Sequence, residues 1–208
     1  MLTLYTDSSP NGFKATIALE ELGLPYTLKH VHINQGEHRQ PDFLRLNPHG
    51  RIPVLTDDET GITLFESAAI LLYLAEKTGR LLPAEPRARW QATQWLIFHA
   101  ASVGPLIGQR VHFEIFAAHK DPIAIERYRR LTHEAYATLD QHLASGQPHF
   151  SGAEYSIADI AHFGWTHIAR LIGFDFDAYP HLSDWHERIA LRPAVQRGIM
   201  LPEPAIGA

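Results

Sequence analysis

The chain has 208 residues, of which 45% are hydrophobic and 20% charged, and its formal net charge is −5 at pH 7. This is the composition of a globular protein long enough to bury a substantial core, and the acidic balance argues against nucleic acid or an anionic membrane as its partner. No apolar run approaches the roughly 20 residues that a transmembrane helix needs. The start lacks the basic segment of a signal peptide, so we expect a cytoplasmic protein.

The sequence contains no cysteine and 14 histidines. Without cysteine, a disulfide framework, a thiolate zinc site and a cysteine nucleophile are excluded, so any thiol chemistry must use a thiol that a ligand brings. The histidines form no HExxH pattern, and the pairs His162/His167 and His181/His186 have poor spacing for one helical face. We therefore expect no metal site.

The first 80 residues predict a small α/β domain with a mixed four-stranded sheet. Alternating stretches indicate strands, and helical periodicity lies between them. In chain order we expect a strand at 2–6, a helix that begins at Ser9 and Pro10 and ends at Gly23, a strand at 26–33, a short helix at 41–46, strands at 53–55 and 62–64, and a helix at 66–76. The predicted order is β-α-β-α-β-β-α.

A linker with two prolines at 81–86 separates this part from a helical remainder. Long helical patterns cover 87–107, 123–143, 157–171 and 182–190. We therefore divide the chain into an N-terminal domain at 1–80, the linker, and an all-helical C-terminal bundle at 87–208. Ser156 and Asp159 have the spacing of a capping box at the start of the third of these helices, which is a folding motif.

A serine, a proline and an asparagine open the first predicted helix, at Ser9, Pro10 and Asn11. N–H groups and the helix dipole stabilise an anion at such a position, and thioredoxins and glutaredoxins place a reactive cysteine pair there. Here a hydroxyl and an amide could donate hydrogen bonds to a thiolate that arrives with a ligand. The alternative is that Ser9 and Pro10 only cap the helix.

Pro53 opens a predicted strand after an irregular loop. A proline in such a position is often the cis isomer. The resulting kink would turn the backbone N–H and C=O of Ile52 outward, where an extended peptide can pair with them. A plain edge-strand proline is the alternative.

Glu66 and Ser67 stand at another helix start that follows a strand. Ser67 and its backbone N–H could bind a carboxylate at the positive end of the helix, while Glu66 could bind an ammonium group. The α-carboxylate and α-amine of an amino acid need such a pair. The alternative is a pair of capping residues.

These three features together match the thiol, the peptide backbone and the γ-glutamyl end of glutathione. The sequence resembles the cytosolic glutathione transferases over essentially its whole length. The segments that carry the resemblance are Arg51-Ile52-Pro53-Val54, Glu66-Ser67-Ala68-Ala69-Ile70-Leu71-Leu72-Tyr73-Leu74 and Tyr155-Ser156-Ile157-Ala158-Asp159-Ile160-Ala161. The resemblance implies a thioredoxin-like N-terminal domain, an all-helical C-terminal domain that holds the second substrate, and a homodimer.

Further segments are similar to the bacterial nu-class transferases and their fungal prion-related relatives, which reduce disulfides with bound glutathione. These segments are Ser9-Pro10-Asn11-Gly12-Phe13-Lys14, Leu106-Ile107-Gly108-Gln109, Ile125-Glu126-Arg127-Tyr128 and Asp184-Trp185-His186-Glu187-Arg188.

This likeness implies the roles of individual residues. They are Ser9 and Asn11 as the catalytic pair at the glutathione sulfur, Ile52 and Pro53 at the cysteinyl part, Glu66 and Ser67 at the γ-glutamyl end, and Arg127 at a carboxylate. His38 stands where a glutamine that contacts glutathione is expected, so that contact stays open. Many transferases activate the thiol with an N-terminal tyrosine instead, but Tyr5 lies inside the first strand, where a tyrosine usually belongs to the core.

The resemblance implies that the second substrate is a small hydrophobic electrophile or a disulfide. Phe98, His112, Phe113 and Phe116 either line its pocket or form an ordinary helix-face core. The implied function is disulfide reduction by the glutathione thiolate, conjugation of glutathione to electrophiles as in detoxification, or both. The alternative is a catalytically weak glutathione-binding or regulatory module, a use that the fold has in the fungal relatives.

Overall fold

A four-stranded mixed sheet organises the N-terminal part of the chain. The computed structural model describes residues 1–174 and 176–202. The strands are β1 (Leu2–Thr6), β2 (Tyr26–His30), β3 (Val54–Asp57) and β4 (Ile62–Phe65), and they lie in the order β2-β1-β3-β4. β1 is parallel to β2, whereas β3 is antiparallel to both β1 and β4. Alternate residues of β1 are buried, as expected of a strand with one face on a core.

The helices are, in chain order, α1 (Pro10–Leu22), α2 (Pro41–Leu46), α3 (Ser67–Thr78), α4 (Pro86–Phe98), α5 (Gly104–Val111), α6 (Pro122–Leu143), α7 (Ile157–Leu171), α8 (Pro180–Ala190) and α9 (Pro193–Gly198). α1 lies between β1 and β2, α2 between β2 and β3, and α3 follows β4, so the predicted β-α-β-α-β-β-α order is confirmed. The predicted strand at 26–33 is too long. It ends at His30 because the chain then enters two 3-10 turns, at Ile33–Gln35 and Glu37–Arg39.

The described residues group into two units, which we treat separately. The first comprises residues 1–82 together with the described residues from Ala190 onward, and the second comprises residues 83–189. The predicted C-terminal domain at 87–208 instead included α9, and its last six residues lie outside the described part of the chain. The difference arises because α9 packs against α1.

Gly198 makes the contact between α9 and α1 possible. A Cβ at this position would lie 2.7 Å from Ile17 Cα and 2.8 Å from Ile17 N, well inside van der Waals contact. The Gly198 carbonyl accepts a hydrogen bond from the buried Thr16 Oγ1 at 2.7 Å. α9 is therefore held against α1 by close backbone packing at Gly198 and by a buried hydrogen bond.

The second unit is built from α4 to α8. Two π-helical segments, His99–Val103 and His112–Phe116, flank α5, so residues 86–116 form one continuous helical run. This run extends the predicted helix at 87–107. The largest fully buried side chains of the unit are Trp185, Tyr136, Phe150 and Phe163. Within residues 1–174 and 176–202, no helix is long and apolar enough to cross a membrane.

The predicted capping box at the start of α7 is confirmed. Asp159 is fully buried, and its Oδ2 accepts from the backbone N–H of Ser156 at 3.0 Å. Its Oδ1 accepts from Trp185 Nε1 at 2.9 Å and from the backbone N–H of Phe150 at 3.2 Å. One carboxylate thus caps α7 and also holds α8 and the preceding loop against it.

Candidate functional site

The segments that the sequence predicts to bind glutathione lie at one end of the sheet. Tyr5 of β1 pairs with Val54 of β3, and Val54 pairs with Phe65 of β4. Just beyond this row, β1 runs on toward residues 9–11, β4 runs on to residues 66–67, and residues 52–53 lead into β3. β2 is parallel to β1, so the turns that follow it begin at the same end. The strand directions therefore bring these connecting segments together.

Asp7 anchors the loop between β1 and α1. Its carboxylate accepts from the backbone N–H of Ser8 at 2.8 Å and of Ile33 at 3.0 Å, and contacts His30 Nε2 at 2.8 Å. Burial alone would raise the pKa of Asp7, but the hydrogen bonds from Ile33 and His30 hold it below its usual value. The loop that presents the first residues of α1 is thus tied to the segment after β2.

Ser9 is the N-cap of α1, as the sequence predicts. Its Oγ accepts from the backbone N–H of Gly12 at 3.0 Å, Pro10 takes the first helical position, and Gly23 in a left-handed conformation ends the helix. A hydroxyl that accepts one hydrogen bond still has its own O–H to donate. Capping and thiolate binding are therefore compatible roles for Ser9.

Lys14 joins the two helix starts of the site. Its Nζ donates to Asn11 Oδ1 at 2.9 Å and to Ser67 Oγ at 3.3 Å. The side chain is only 3% exposed. Burial lowers the pKa of Lys14 to about 7, against the opposing effect of the negative charge of Glu66. The predicted thiolate residue and the predicted γ-glutamyl pair are thus connected through one ammonium group.

Lys14 is a site residue that has no role predicted from the sequence. The signal was present, because Lys14 lies between apolar residues in a helix whose residues from Gly12 to Leu19 are all buried. A charged residue inside such a stretch is a candidate for a functional site. Its contact with Ser67 depends on how α1 and α3 pack, and a reading of local patterns does not reveal it.

The peptide bond between Ile52 and Pro53 is cis, which confirms that prediction. Ile52 is half-buried and packs, with Tyr5, against a core cluster of Val31, Phe43 and Val54. Tyr5 is thus half-buried at the edge of this cluster, and the prediction that it does not activate the thiol stays a prediction.

Glu66 adopts φ 74° and ψ 111°, a rare backbone conformation for a residue other than glycine. Such a conformation costs on the order of 1–3 kcal/mol and is found preferentially at ligand sites. Within the described chain, the Glu66 side chain makes no capping hydrogen bond to α3. The capping alternative is therefore not supported for the Glu66 side chain, and its binding role stays a prediction.

His38 and Arg127 occupy different settings. His38 is half-buried on the second 3-10 turn, and its Nδ1 is buried with no hydrogen-bond partner among the described residues. Its side chain is thus compatible with a ligand contact. Arg127 lies exposed on α6 in the second unit, and its role stays a prediction.

The predicted second-substrate residues all belong to the second unit. Phe98 is half-buried at the end of α4, whereas Phe116 is 74% exposed. The ring of Phe113 stacks on Tyr128 with centroids 5.5 Å apart, and His112 meets Phe113 edge-on at 5.1 Å. The structure therefore brings His112 and Phe113 together with Tyr128, and the pocket itself stays a prediction. Across residues 1–174 and 176–202, no group of three or more His, Asp or Glu side chains could hold a metal ion.

Comparison with known proteins identifies the family. Residues 1–76 match the glutathione S-transferase N-terminal domain, and residues 122–188 match the glutathione S-transferase C-terminal domain. The chain belongs to the glutathione S-transferase family, which confirms the resemblance found in the sequence.

Individual relatives narrow the comparison. The disulfide-bond oxidoreductase YfcG of Escherichia coli (strain K12) is 41% identical over 205 residues, which cover 96% of this chain and 95% of YfcG. A glutathione transferase from Pseudomonas putida, solved with one glutathione disulfide per subunit, has 38% identity and a TM-score of 0.91, covering 97% of this chain and 91% of its own. A glutathione transferase from Burkholderia graminis, solved with two glutathione molecules per subunit, has 37% identity and a TM-score of 0.92. The match covers 97% of this chain and 88% of the Burkholderia graminis chain.

Proposed function

We propose that this chain binds glutathione and uses its thiolate to reduce disulfides, with conjugation to small hydrophobic electrophiles as a second activity. The observation that carries the proposal is the convergence of Ser9, Asn11, Ile52, Glu66 and Ser67 at one end of the sheet. The relatives support the same chemistry, since one is a disulfide-bond oxidoreductase and another was solved with glutathione disulfide.

The reaction proceeds through two thiol–disulfide exchanges. The thiolate of bound glutathione attacks one sulfur of the substrate disulfide, the S–S bond breaks, and the other sulfur leaves as a thiolate that takes up a proton. A second glutathione thiolate then attacks the mixed disulfide and releases the second substrate thiol together with glutathione disulfide. Two glutathione thiols supply the two electrons that the substrate disulfide gains. The Burkholderia graminis relative, with its two bound glutathione molecules, supports this stoichiometry.

Ser9 and Asn11 make the bound thiol reactive. A cysteine-type thiol has a pKa of about 8.5, so only a few per cent is ionised at neutral pH. Hydrogen-bond donors and the dipole of α1 both favour the anion. Pro10 has no N–H to offer, so the side chains beside it and the following backbone amides supply the donors. The backbone of Ile52 holds the cysteinyl part, and Glu66 with Ser67 holds the γ-glutamyl end.

Three variants test this assignment. Asn11→Ala should raise the apparent pKa of bound glutathione and lower turnover more at pH 7 than at pH 9, and Ser9→Ala should do the same. Tyr5→Phe is the control and should change little beyond stability, because the Tyr5 ring packs against the cluster of Val31, Phe43 and Val54. The measurements are thiolate absorbance and the rate of disulfide reduction against pH. Loss of the thiolate in Tyr5→Phe alone would make this a tyrosine-type transferase.

The alternative function, a catalytically weak binding or regulatory module, is tested on the unmodified protein. We expect retention on a glutathione-affinity column and turnover in a disulfide-reduction assay. No retention and no turnover would contradict the proposal.

We also propose that the protein is a cytoplasmic homodimer. The dimer is what membership of the family implies, and Trp90 on α4, which is 72% exposed, is a candidate interface residue. A monomer mass in light scattering would contradict the dimer.

A further inference from the structure

Lys14 is a buried charge that the proposed reaction does not yet use. Its burial costs stability, because a lysine is almost never enclosed unless its ammonium is paired. Burial lowers the pKa of Lys14 to about 7, and Glu66, at the start of α3, is the charged group that opposes this shift. A side chain kept at such a cost beside a ligand site is a candidate for a role in that site.

The contacts of Lys14 define what it does to Asn11. When Lys14 is protonated its ammonium group has only donors, so the Asn11 amide turns its oxygen toward Nζ, at 2.9 Å. The amide is planar and has one acceptor end and one donor end. Its NH₂ group is therefore the end directed away from Lys14, and a donor is what a thiolate requires.

The contact with Ser67 works in the same sense. The Ser67 oxygen accepts from Lys14 Nζ at 3.3 Å, so its own O–H is the group that it can donate to a ligand. Ser67 is the first residue of α3, where the helix dipole also favours an anion.

We propose that Lys14 is a positioning residue that presents the Asn11 NH₂ group to the glutathione sulfur and the Ser67 O–H to the γ-glutamyl carboxylate. This inference rests on the proposed function. Lys14 acts through Asn11 and Ser67 and does not touch the reacting sulfur. Without its charge, Lys14 no longer selects the oxygen end of the Asn11 amide, and a carbonyl oxygen turned toward the thiolate would repel it.

The test compares three lysine variants. Lys14→Met removes the charge and keeps an unbranched side chain, whereas Lys14→Arg keeps the charge. Lys77→Met is the matched control, because Lys77 pairs with Asp57 at 2.9 Å and Glu59 at 2.6 Å around the hairpin at the other end of the sheet.

We expect Lys14→Met to raise the KM for glutathione and to lower kcat for disulfide reduction, each by about tenfold or more at pH 7. It should also raise the apparent pKa of the bound thiol. Lys14→Arg should partly restore KM, kcat and the thiol pKa. Lys77→Met should alter only the melting temperature. A merely structural lysine would leave the pKa of the bound thiol unchanged.

Two failures are distinguishable. If the unmodified protein reduces disulfides and Lys14→Met keeps its KM and thiol pKa within about twofold of the parent, the role of Lys14 is overturned and the proposed function stands. If the unmodified protein does not bind glutathione, the proposed function falls, and the role of Lys14 with it.

A second measurement decides the matter if Lys14→Met does not fold. In the glutathione-free protein, the NMR signals of the Asn11 side-chain amide should shift with the same midpoint as the titration of the Lys14 ammonium. Amide signals that do not follow Lys14 overturn the proposal.

Discussion

Removal of the Asp159 carboxylate should destabilise the protein far more than the loss of an ordinary helix cap. Asp159 is fully buried and accepts hydrogen bonds from Ser156, Trp185 and Phe150. In Asp159→Ala, loss of the cap costs about 1 kcal/mol. The donors left buried without a partner cost about 1–3 kcal/mol each. We therefore expect the free energy of unfolding to fall by about 3–5 kcal/mol, since not every donor is left stranded.

The matched control is Asp121→Ala. Asp121 caps α6 in the same way, accepting from the backbone N–H of Ile123 at 2.9 Å and of Ala124 at 3.2 Å, but its side chain is exposed. Water can replace the lost acceptor at this exposed position, so Asp121→Ala should lower the free energy of unfolding by only about 1 kcal/mol. The difference between the two variants isolates the buried network from the cap.

Urea unfolding of both variants gives the free energies, with an unchanged slope m as the check that the unfolding reaction is the same. Disulfide-reduction turnover per folded molecule should stay near that of the parent in both. The reasoning is refuted if the two variants lose equal stability. A stable Asp159→Ala that loses turnover would give Asp159 a role in the chemistry.

Two further predictions concern packing and pH. Gly198→Ala should lower the free energy of unfolding by about 2 kcal/mol or more, because its Cβ would lie 2.7 Å from Ile17 Cα; a gain in thermal stability would contradict that close approach. Burial, followed by the charges of His167 and Arg170, lowers the pKa of His186 to about 3. Between about pH 6.5 and 3, His186 therefore binds a proton in the unfolded state but not in the folded state. The free energy of unfolding should decrease as the pH is lowered through this window, by up to about 1.4 kcal/mol per pH unit. His186→Phe should remove that part of the slope in acid titrations of unfolding, and an unchanged slope would place the titration elsewhere.

Local chemistry made much of the fold predictable. The start and end of α1 follow from Ser9, Pro10 and Gly23, and the start of α7 from Ser156 and Asp159. Each of these features depends on a few neighbouring residues, so a sequence pattern suffices to find it.

Features that depend on packing were less predictable. No helix was predicted at 193–198, and nothing in that segment indicates that Gly198 brings α9 onto α1. Two π-helical segments flank α5, the first of them directly before Gly104 and Pro105, whereas the sequence alone predicted one regular helix over 87–107. Nor could Lys14 be linked to Ser67, because 53 residues separate them in the chain.

The absence of cysteine from the chain has a consequence for its durability. In a protein whose own thiol reacts with disulfides, oxidation of that sulfur to the sulfinic or sulfonic acid is generally irreversible and ends the life of the molecule. Here the attacking thiols of the proposed exchange are carried by glutathione and not by the protein. An over-oxidised glutathione molecule can dissociate and be replaced. Oxidative stress would therefore consume glutathione but leave the protein active.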